Sequence, residues 1–179
     1  MKKLIAAVVM SLGLLVVGVA PVNAAAPYCG ITWGSTSKTA ADTTVGEELT
    51  GVRTGRQSCY DRIVFDVNGP ASGYDVRYVS NVYADGSGQL VPLKGGAKLR
   101  VILKTPAYNE AGQTTYKATV GQALPGINLA GYQTFRDARY AGSFEGQTSI
   151  GVGVRARLPF RVLHLTGPNR IVVDVAHYW

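Results

Sequence analysis

The chain carries the same short phrase near both of its ends, RIVFDV at residues 62–67 and RIVVDV at residues 170–175. Apolar and polar side chains alternate in each copy, which is the pattern of a strand with one buried face. Ile63, Phe65 and Val67 fall on one face of the first copy, and residues 171, 173 and 175 form the matching row of the second. Each copy therefore predicts a core-facing strand whose Arg and Asp lie on the opposite face.

The Arg and Asp of one copy stand roughly 13 Å apart along a strand and cannot pair with each other. If the two copies lie antiparallel with their central valines opposite, the Arg of each copy faces the Asp of the other. The pairs would then be Arg62 with Asp174 and Arg170 with Asp66, a reciprocal cross-strand charge set. The alternative is that each strand has other neighbours and the shared phrase reflects only a common strand composition.

The same period of two runs through most of the chain after residue 24, where helical spacing is scarce. It predicts further strands at 74–79, 97–103, 148–155 and 160–166, and weaker ones at 49–56, 82–91, 115–120 and 132–140. Gly, Pro, Asn and Asp clusters separate these segments, and 141–147 is typical of a hairpin connection. The pattern predicts an all-β fold, an antiparallel sandwich or barrel.

The first residues have the layout of a secretory signal peptide, with Lys2 and Lys3 ahead of an uncharged apolar run and small residues near Ala24. We therefore predict a leader at 1–24, an exported protein and no membrane span after cleavage. A retained anchor is the alternative, because the run approaches the roughly 18 residues that cross a bilayer. The formal net charge is +7, and the leader lysines supply two of it. This moderate balance suits anionic wall polymers and predicts no nucleic-acid partner.

Only two cysteines occur, Cys29 and Cys59. Export places them in an oxidising compartment, so a disulfide is predicted. Residues 35–47 are small and polar, which predicts a loose N-terminal lead at 25–47, tied by the disulfide to a single domain at 48–179.

The residues do not specify a reaction. His164 and His177 lack the additional ligands of a zinc site. We expect His164 to be packed or at a rim, and the tail after His177 to dock as a terminal cap. Asp137 and Glu145 flank a hairpin, but charged hairpin residues are usually solvated. Gly151 and Gly153 lie in a strand pattern, where they indicate close backbone packing, a bulge or a flat face with room for a ligand. We predict no enzyme, cofactor or metal.

Basic residues from position 136 onward are all arginines, whose planar forks suit carboxylates and phosphates and stack on rings. The predicted ligand face groups arginines with nearby aromatic and neutral polar residues of the 141–147 hairpin: Arg139, Tyr140, Phe144, Gln147, Thr148, Arg155 and Arg157. A solvated charged face paired to the hairpin acids is the alternative.

The run AGSFEGQTSIGVGVRARLPFRVLHLTGPNRIVVDVAH at 141–177, with CYDRIVFDVNG and GYDVRYV upstream, resembles the AMIN-like domain proteins of actinobacteria over residues 46–178. That family is similar to the AMIN domain, a non-catalytic module attached to cell-wall amidases and pilus secretins. The resemblance implies a β-sandwich of two sheets with related halves. It also implies a secreted, cell-wall-associated module that binds peptidoglycan or another anionic wall polymer. An assembly module that binds an envelope protein, with no glycan ligand, is the alternative.

Overall fold

The computed structural model describes residues 27–41, 47–69 and 73–179, so the predicted leader lies outside the described residues. A 3-10 turn (Tyr28–Gly30) precedes the strands. The described residues form β1 (Lys38–Ala40), β2 (Glu48–Arg56), β3 (Tyr60–Asn68), β4 (Tyr74–Val79), β5 (Val82–Tyr83), β6 (Leu90–Val91), β7 (Ala97–Leu103), β8 (Phe135–Phe144), β9 (Gln147–Val154), β10 (Phe160–Leu165) and β11 (Arg170–Ala176). Within these ranges no helix is long and apolar enough to span a membrane.

Two antiparallel sheets pack face to face as a sandwich, which the resemblance implies and which is one of the two architectures that the alternation allows. The first, sheet A, has the strand order β10-β11-β3-β2, and the second, sheet B, has the order β1-β4-β7-β9-β8. Inward-facing side chains of both sheets form one core, which includes Phe65 and Val173 from sheet A and Leu99 and Ile150 from sheet B. Strands β5 and β6 form a separate hairpin.

The two copies of the repeated phrase are neighbours within sheet A. Strand β11 pairs antiparallel with β3, and Val64 lies opposite Val172. This register is the one that the charge hypothesis requires, and it also places Arg62 opposite Asp174. The apolar row of each copy is buried in the shared core. The repeat therefore marks two paired strands of one sheet.

The 141–147 connection is a hairpin, but its turn is shorter than the sequence pattern suggests. Strands β8 and β9 extend to Phe144 and from Gln147, so that only Glu145 and Gly146 lie between them. Both residues have positive φ, 48° and 75°. A two-residue turn with positive φ at both positions matches the right-handed twist of the flanking strands.

Of the four weaker strand predictions, 49–56 and 132–140 correspond to β2 and β8, and the other two were less accurate. The 82–91 segment folds as two short strands around a turn. The predicted strand at 115–120 is wrong, because this stretch is irregular and follows the outer edge of β8. Just after it, Gly121 and Leu124 donate backbone hydrogen bonds to Tyr140 and Ala138 of β8, and Ala123 forms an isolated bridge to Arg139. Tyr116 and Leu124 join the core.

The described part of the N-terminal lead, residues 27–41, is more structured than its polar composition suggests. The Cys29–Cys59 disulfide is present as predicted. Strand β1 pairs with β4 at the edge of sheet B, and Gly34 bridges to Phe160 at the start of β10. These contacts connect the lead to both sheets, so the expectation of a loose segment is corrected for these residues.

Gly151 and Gly153 allow close backbone packing, which is one of the three interpretations that the sequence pattern offered. They lie on the outer face of β9, beneath the segment that follows β6. A Cβ on Gly153 would overlap the carbonyl oxygen of Lys94, and one on Gly151 would collide with Leu93. Glycine at both positions therefore lets the β5–β6 hairpin and its exit lie directly on the sheet.

Loss of the disulfide is expected to destabilise the fold substantially. The bond joins residues 30 apart in sequence, and a crosslink closing a loop of that size contributes roughly 3 kcal/mol in the loop-entropy model. A Cys29→Ser/Cys59→Ser variant should lose about that much free energy of unfolding in urea denaturation. Reductant should lower the wild-type midpoint similarly and leave the variant unchanged. Equal midpoints for wild type and variant would contradict the prediction.

Candidate functional site

The seven residues of the predicted ligand face do not share one surface. Arg139 lies opposite Gly151 in the ladder, where its guanidinium donates to Asp137 at 2.9 Å and to the Gly121 carbonyl at 2.8 Å. Tyr140 is buried in the core against the ring of Tyr116. The side chains of these two residues therefore connect strand β8 to the rest of the domain.

Three more of the seven lie at the hairpin tip between β8 and β9. Phe144 is exposed, and Gln147 accepts a hydrogen bond from Lys104 at 2.8 Å. Thr148 is fully buried, and its hydroxyl donates to the Thr105 carbonyl at 2.7 Å. Of these three side chains, those of Phe144 and Gln147 therefore remain near solvent.

Arg155 and Arg157 are exposed just past the opposite end of β9. About 25 Å separates them from the hairpin tip, given the rise of roughly 3.4 Å per residue along a strand. The ligand face predicted from sequence is therefore corrected. The tight two-residue turn keeps β8 and β9 extended, so residues that are close in sequence end at opposite ends of the sheet.

Arg155 and Arg157 instead meet aromatic residues from elsewhere in the chain. The Arg155 guanidinium lies 5.9 Å from the ring centre of Tyr178 and donates to the His177 carbonyl at 2.5 Å. The Arg157 guanidinium lies 5.2 Å from the ring centre of Tyr78, and the indole of Trp179 donates to the Arg157 carbonyl at 3.2 Å. These are cation–π distances.

A shallow cleft of about 270 Å³ adjoins these arginines, lined by Arg157, Tyr78 and Lys98 among others. We name the set of Tyr78, Lys98, Arg155, Arg157, Tyr178 and Trp179 the C-terminal basic surface. Burial raises the pKa of Tyr78 to about 12, and its hydroxyl donates to the Leu158 carbonyl at 2.7 Å. The phenol therefore stays neutral, and the surface keeps its positive charge.

Sequence reasoning found the arginines of this surface but missed their aromatic partners. Tyr178 and Trp179 were expected to dock as a terminal cap, yet they are 57% and 74% exposed. For Tyr78 the sequence pattern predicted only a position in a strand, because its contact with Arg157 depends on how β4 packs beside the 155–159 loop. The tendency of guanidinium groups to stack on aromatic rings was the one indication that these arginines would have aromatic partners.

The tail is anchored by a buried pair next to this surface. Nε2 of His177 lies 3.1 Å from Oδ1 of Asp61, and both side chains are inaccessible to solvent. The other oxygen of Asp61 accepts the amides of Thr134 and Phe135, at 2.5 and 3.0 Å. This network ties the C-terminus to β3 and β8 and so holds Tyr178 beside Arg155. His164, by contrast, is exposed on β10.

The outer face of sheet A carries half of the predicted reciprocal charge set. Asp174 is fully buried and accepts from Nε of Arg62 at 2.7 Å and Nε of Arg161 at 2.8 Å. The ring of Tyr60 lies 5.2 Å from both guanidinium groups, and Trp33 of the lead lies 5.5 Å from that of Arg161. The hydrogen bond to Asp174 raises the pKa of Arg62.

The other half of that set is not formed. Asp66 instead pairs with Arg53 of β2 at 3.0 Å, and the Nε of Arg170 donates to the Pro168 carbonyl at 3.2 Å. Gly51, which lies opposite Asp66 on β2, leaves room for the Arg53 side chain to reach it. Asp66 of β3 therefore pairs with Arg53 of β2, the neighbour on one side, and not with Arg170 of β11, the neighbour on the other side, as the charge hypothesis required.

The AMIN-like domain family model matches residues 47–177, which include β2 to β11 and both copies of the repeated phrase. The chain belongs to the AMIN-like domain family. No curated protein and no solved structure matches it. Within this AMIN-like domain, the two Arg-Ile-Val-x-Asp-Val strands pair with each other and contribute to the core. The domain relates the chain to modules of the cell envelope, and the disulfide is consistent with an extracytoplasmic protein.

Removing both arginines beside Asp174 should be far more costly than removing one. The carboxylate is 0% exposed, while Arg62 and Arg161 are 25% and 24% exposed. Each single change to Met should cost about 1 kcal/mol, because the remaining guanidinium still pairs with Asp174. The double variant leaves a buried charge unpaired and should lose about 3 kcal/mol or more. Urea unfolding of the four proteins measures the coupling.

Arg53→Met is the matched control for this cycle. Its ion pair with Asp66 joins side chains that are 54% and 32% exposed, so the free energy of unfolding should change by about 0.5 kcal/mol or less. Strictly additive effects of the Arg62 and Arg161 changes would contradict the proposed role of Asp174.

Proposed function

We propose that this AMIN-like protein is an exported, non-catalytic module that binds peptidoglycan or another anionic wall polymer through the C-terminal basic surface. The observation that carries the proposal is the pairing of two exposed arginines with aromatic rings at one end of the sandwich, Arg155 with the exposed Tyr178 and Arg157 with the half-buried Tyr78. Among the described residues, no ion pair links Arg155 or Arg157 to a carboxylate of the protein itself.

The chemistry of this surface suits a ligand that carries both negative charge and sugar rings. Guanidinium forks bind carboxylates and phosphates in a planar, bidentate manner. Tyr178 and Trp179 offer amphipathic rings at which an apolar ring face can pack while the polar edge stays wet. Lys98 adds a third positive charge at the adjoining cleft. Stem-peptide carboxylates of peptidoglycan or phosphates of another wall polymer meet these requirements.

The buried His177–Asp61 pair supports binding by fixing the position of the tail. Because Asp61 also accepts two backbone amides of the 134–135 segment, the last residues are held against both sheets. A preorganised tail loses less conformational entropy when a ligand binds than a free tail would. The fold thus presents Tyr178 beside Arg155 before any ligand arrives.

An envelope assembly module that binds a partner protein is the second candidate. The observation that favours it is the exposed Trp179 next to Tyr178. Tryptophan, tyrosine and arginine are the residues most enriched among protein–protein hot spots. A protein partner would use the same surface, but its binding would not require a polyanion.

A sedimentation assay with purified peptidoglycan tests the proposal. The protein should co-sediment at low salt, and binding should fall at least ten-fold in an Arg155→Ala/Arg157→Ala variant, because the charge-assisted contacts are lost. Binding should also weaken steeply as salt rises, since exposed charges are screened within about 8 Å at 0.15 M ionic strength.

Lys117→Ala/Arg170→Ala is the matched control, since it removes the same charge from positions away from the surface, and it should bind like wild type. Thermal unfolding of each variant confirms that the fold persists. Absence of co-sedimentation at every salt concentration would reject peptidoglycan as the ligand, and the same result with a purified phosphate-bearing wall polymer would reject the wall-polymer proposal and favour the assembly module. Equal loss in both double variants would reject the named surface and indicate only a net-charge effect.

A further inference from the structure

A second concave region lies between the β5–β6 hairpin and the outer face of sheet B. Two adjoining lobes, of about 410 and 180 Å³, share Asp85, Ile102 and Ser149 in their lining. Tyr83 and Arg100 belong to the larger lobe, and Phe144 belongs to the smaller one. We name this region the hairpin cleft. The cleft runs along β9 from Gly151, which lies opposite Arg100, to Gln147. These two residues are about 14 Å apart at the usual strand rise.

The polar atoms beside the cleft are incompletely paired. Oδ2 of Asp85 is buried without a partner among the described residues. Nε of Arg100 is likewise buried and unpaired within those residues. Both atoms are closed to solvent in this conformation, so a ligand in the larger lobe reaches this acceptor and this donor only after a small shift of the Asp85 and Arg100 side chains. A hydroxyl group answers both needs, because it donates one hydrogen bond and accepts others.

Aromatic residues flank the cleft at both ends. Tyr83 is 53% exposed in the larger lobe and Phe144 is 53% exposed in the smaller one. The amide of Asn81 donates to the Tyr83 hydroxyl at 3.4 Å, which restrains that ring. Exposed rings beside a few convergent polar groups are typical of pockets for ligands with both apolar faces and polar edges.

The charge of the lining disfavours an anionic ligand. Among the lining residues, Asp85 and Glu145 contribute two carboxylates and Arg100 one guanidinium, and the ammonium of Lys104 beside the smaller lobe is bound by Gln147 at 2.8 Å. Burial raises the pKa of Asp85, an effect opposed by its bond to Ser149 and by the charge of Arg100. An incoming carboxylate or phosphate would face both acids, which separates this cleft chemically from the C-terminal basic surface.

We propose that the hairpin cleft binds a neutral oligosaccharide, with sugar hydroxyls bridging Asp85 and Arg100 and ring faces against Tyr83 and Phe144. Two lobes with an aromatic ring at each end fit linked sugar rings better than a single one. The site is built from residues other than those of the proposed wall-polymer surface and does not depend on that proposal.

Isothermal titration of the purified protein with chitotetraose and with cellotetraose, both uncharged, tests the inference. Saturable binding of at least one is expected. Tyr83→Ala and Asp85→Asn should each weaken it ten-fold or more, through loss of the ring contact and of the carboxylate acceptor. Tyr178→Ala removes a ring of similar exposure from the other surface and should bind like wild type. An oligogalacturonate, which carries a carboxylate on each ring, should bind at least ten-fold more weakly than the neutral probe.

Any of three results overturns the inference. These are no heat of binding with either neutral probe, unchanged affinity in both cleft variants, and tighter binding of the oligogalacturonate through Tyr83 and Asp85. The Arg155→Ala/Arg157→Ala variant leaves the cleft intact, so it should keep wild-type affinity for the neutral probe. Failure of the cleft is thereby distinguished from failure of peptidoglycan sedimentation.

Discussion

The antiparallel pairing of β3 with β11 in a single register is the constraint on which the rest of the domain depends. It joins an early strand to the last strand and places both apolar rows in one core. A slip by one residue would turn every side chain to the other face, and the carboxylate of Asp174 would then enter the apolar core. Arg62 and Arg161 hold that carboxylate on the outer face instead. The buried ion pairs of Asp174 are therefore compatible with this register and incompatible with a one-residue slip.

The same pairing organises the two proposed binding surfaces. Once β11 is fixed beside β3, the chain that follows reaches Asp61, and the His177 contact directs the final aromatic residues towards Arg155. On sheet B, the glycines of β9 let the β5–β6 hairpin lie close to the strands and enclose a polar cleft. One surface is basic, and the other has two acids in its lining. The two proposals therefore assign different chemical groups to the two surfaces, anionic groups to the basic surface and neutral sugar rings to the hairpin cleft.

Much of the fold followed from local pattern, whereas the predicted ligand face did not. Alternation predicted the long strands, and the shared phrase supplied the correct register for β3 and β11. The Cys29–Cys59 pair followed from the cysteine count and the expected compartment. The ligand face failed because it assumed that residues near a hairpin stay together. Thr148 and Tyr140 point into the core, and Phe144 and Arg155 end up at opposite ends of the sheet.

The sequence by itself determined which residues are buried in the main strands and where the crosslink lies, and it allowed the β3–β11 register as one of two alternatives. Burial depends on a period of two, which can be read locally, whereas the register was an inference from two matching segments far apart in the chain. The tertiary structure alone decided that Asp66 turns to Arg53, that Tyr78 lies under Arg157, and that Tyr83 and Phe144 flank one cleft. Those contacts join residues from strands and loops distant in sequence. Their proximity arises from sheet order and from the way loops pack on the sheets, which no local pattern encodes.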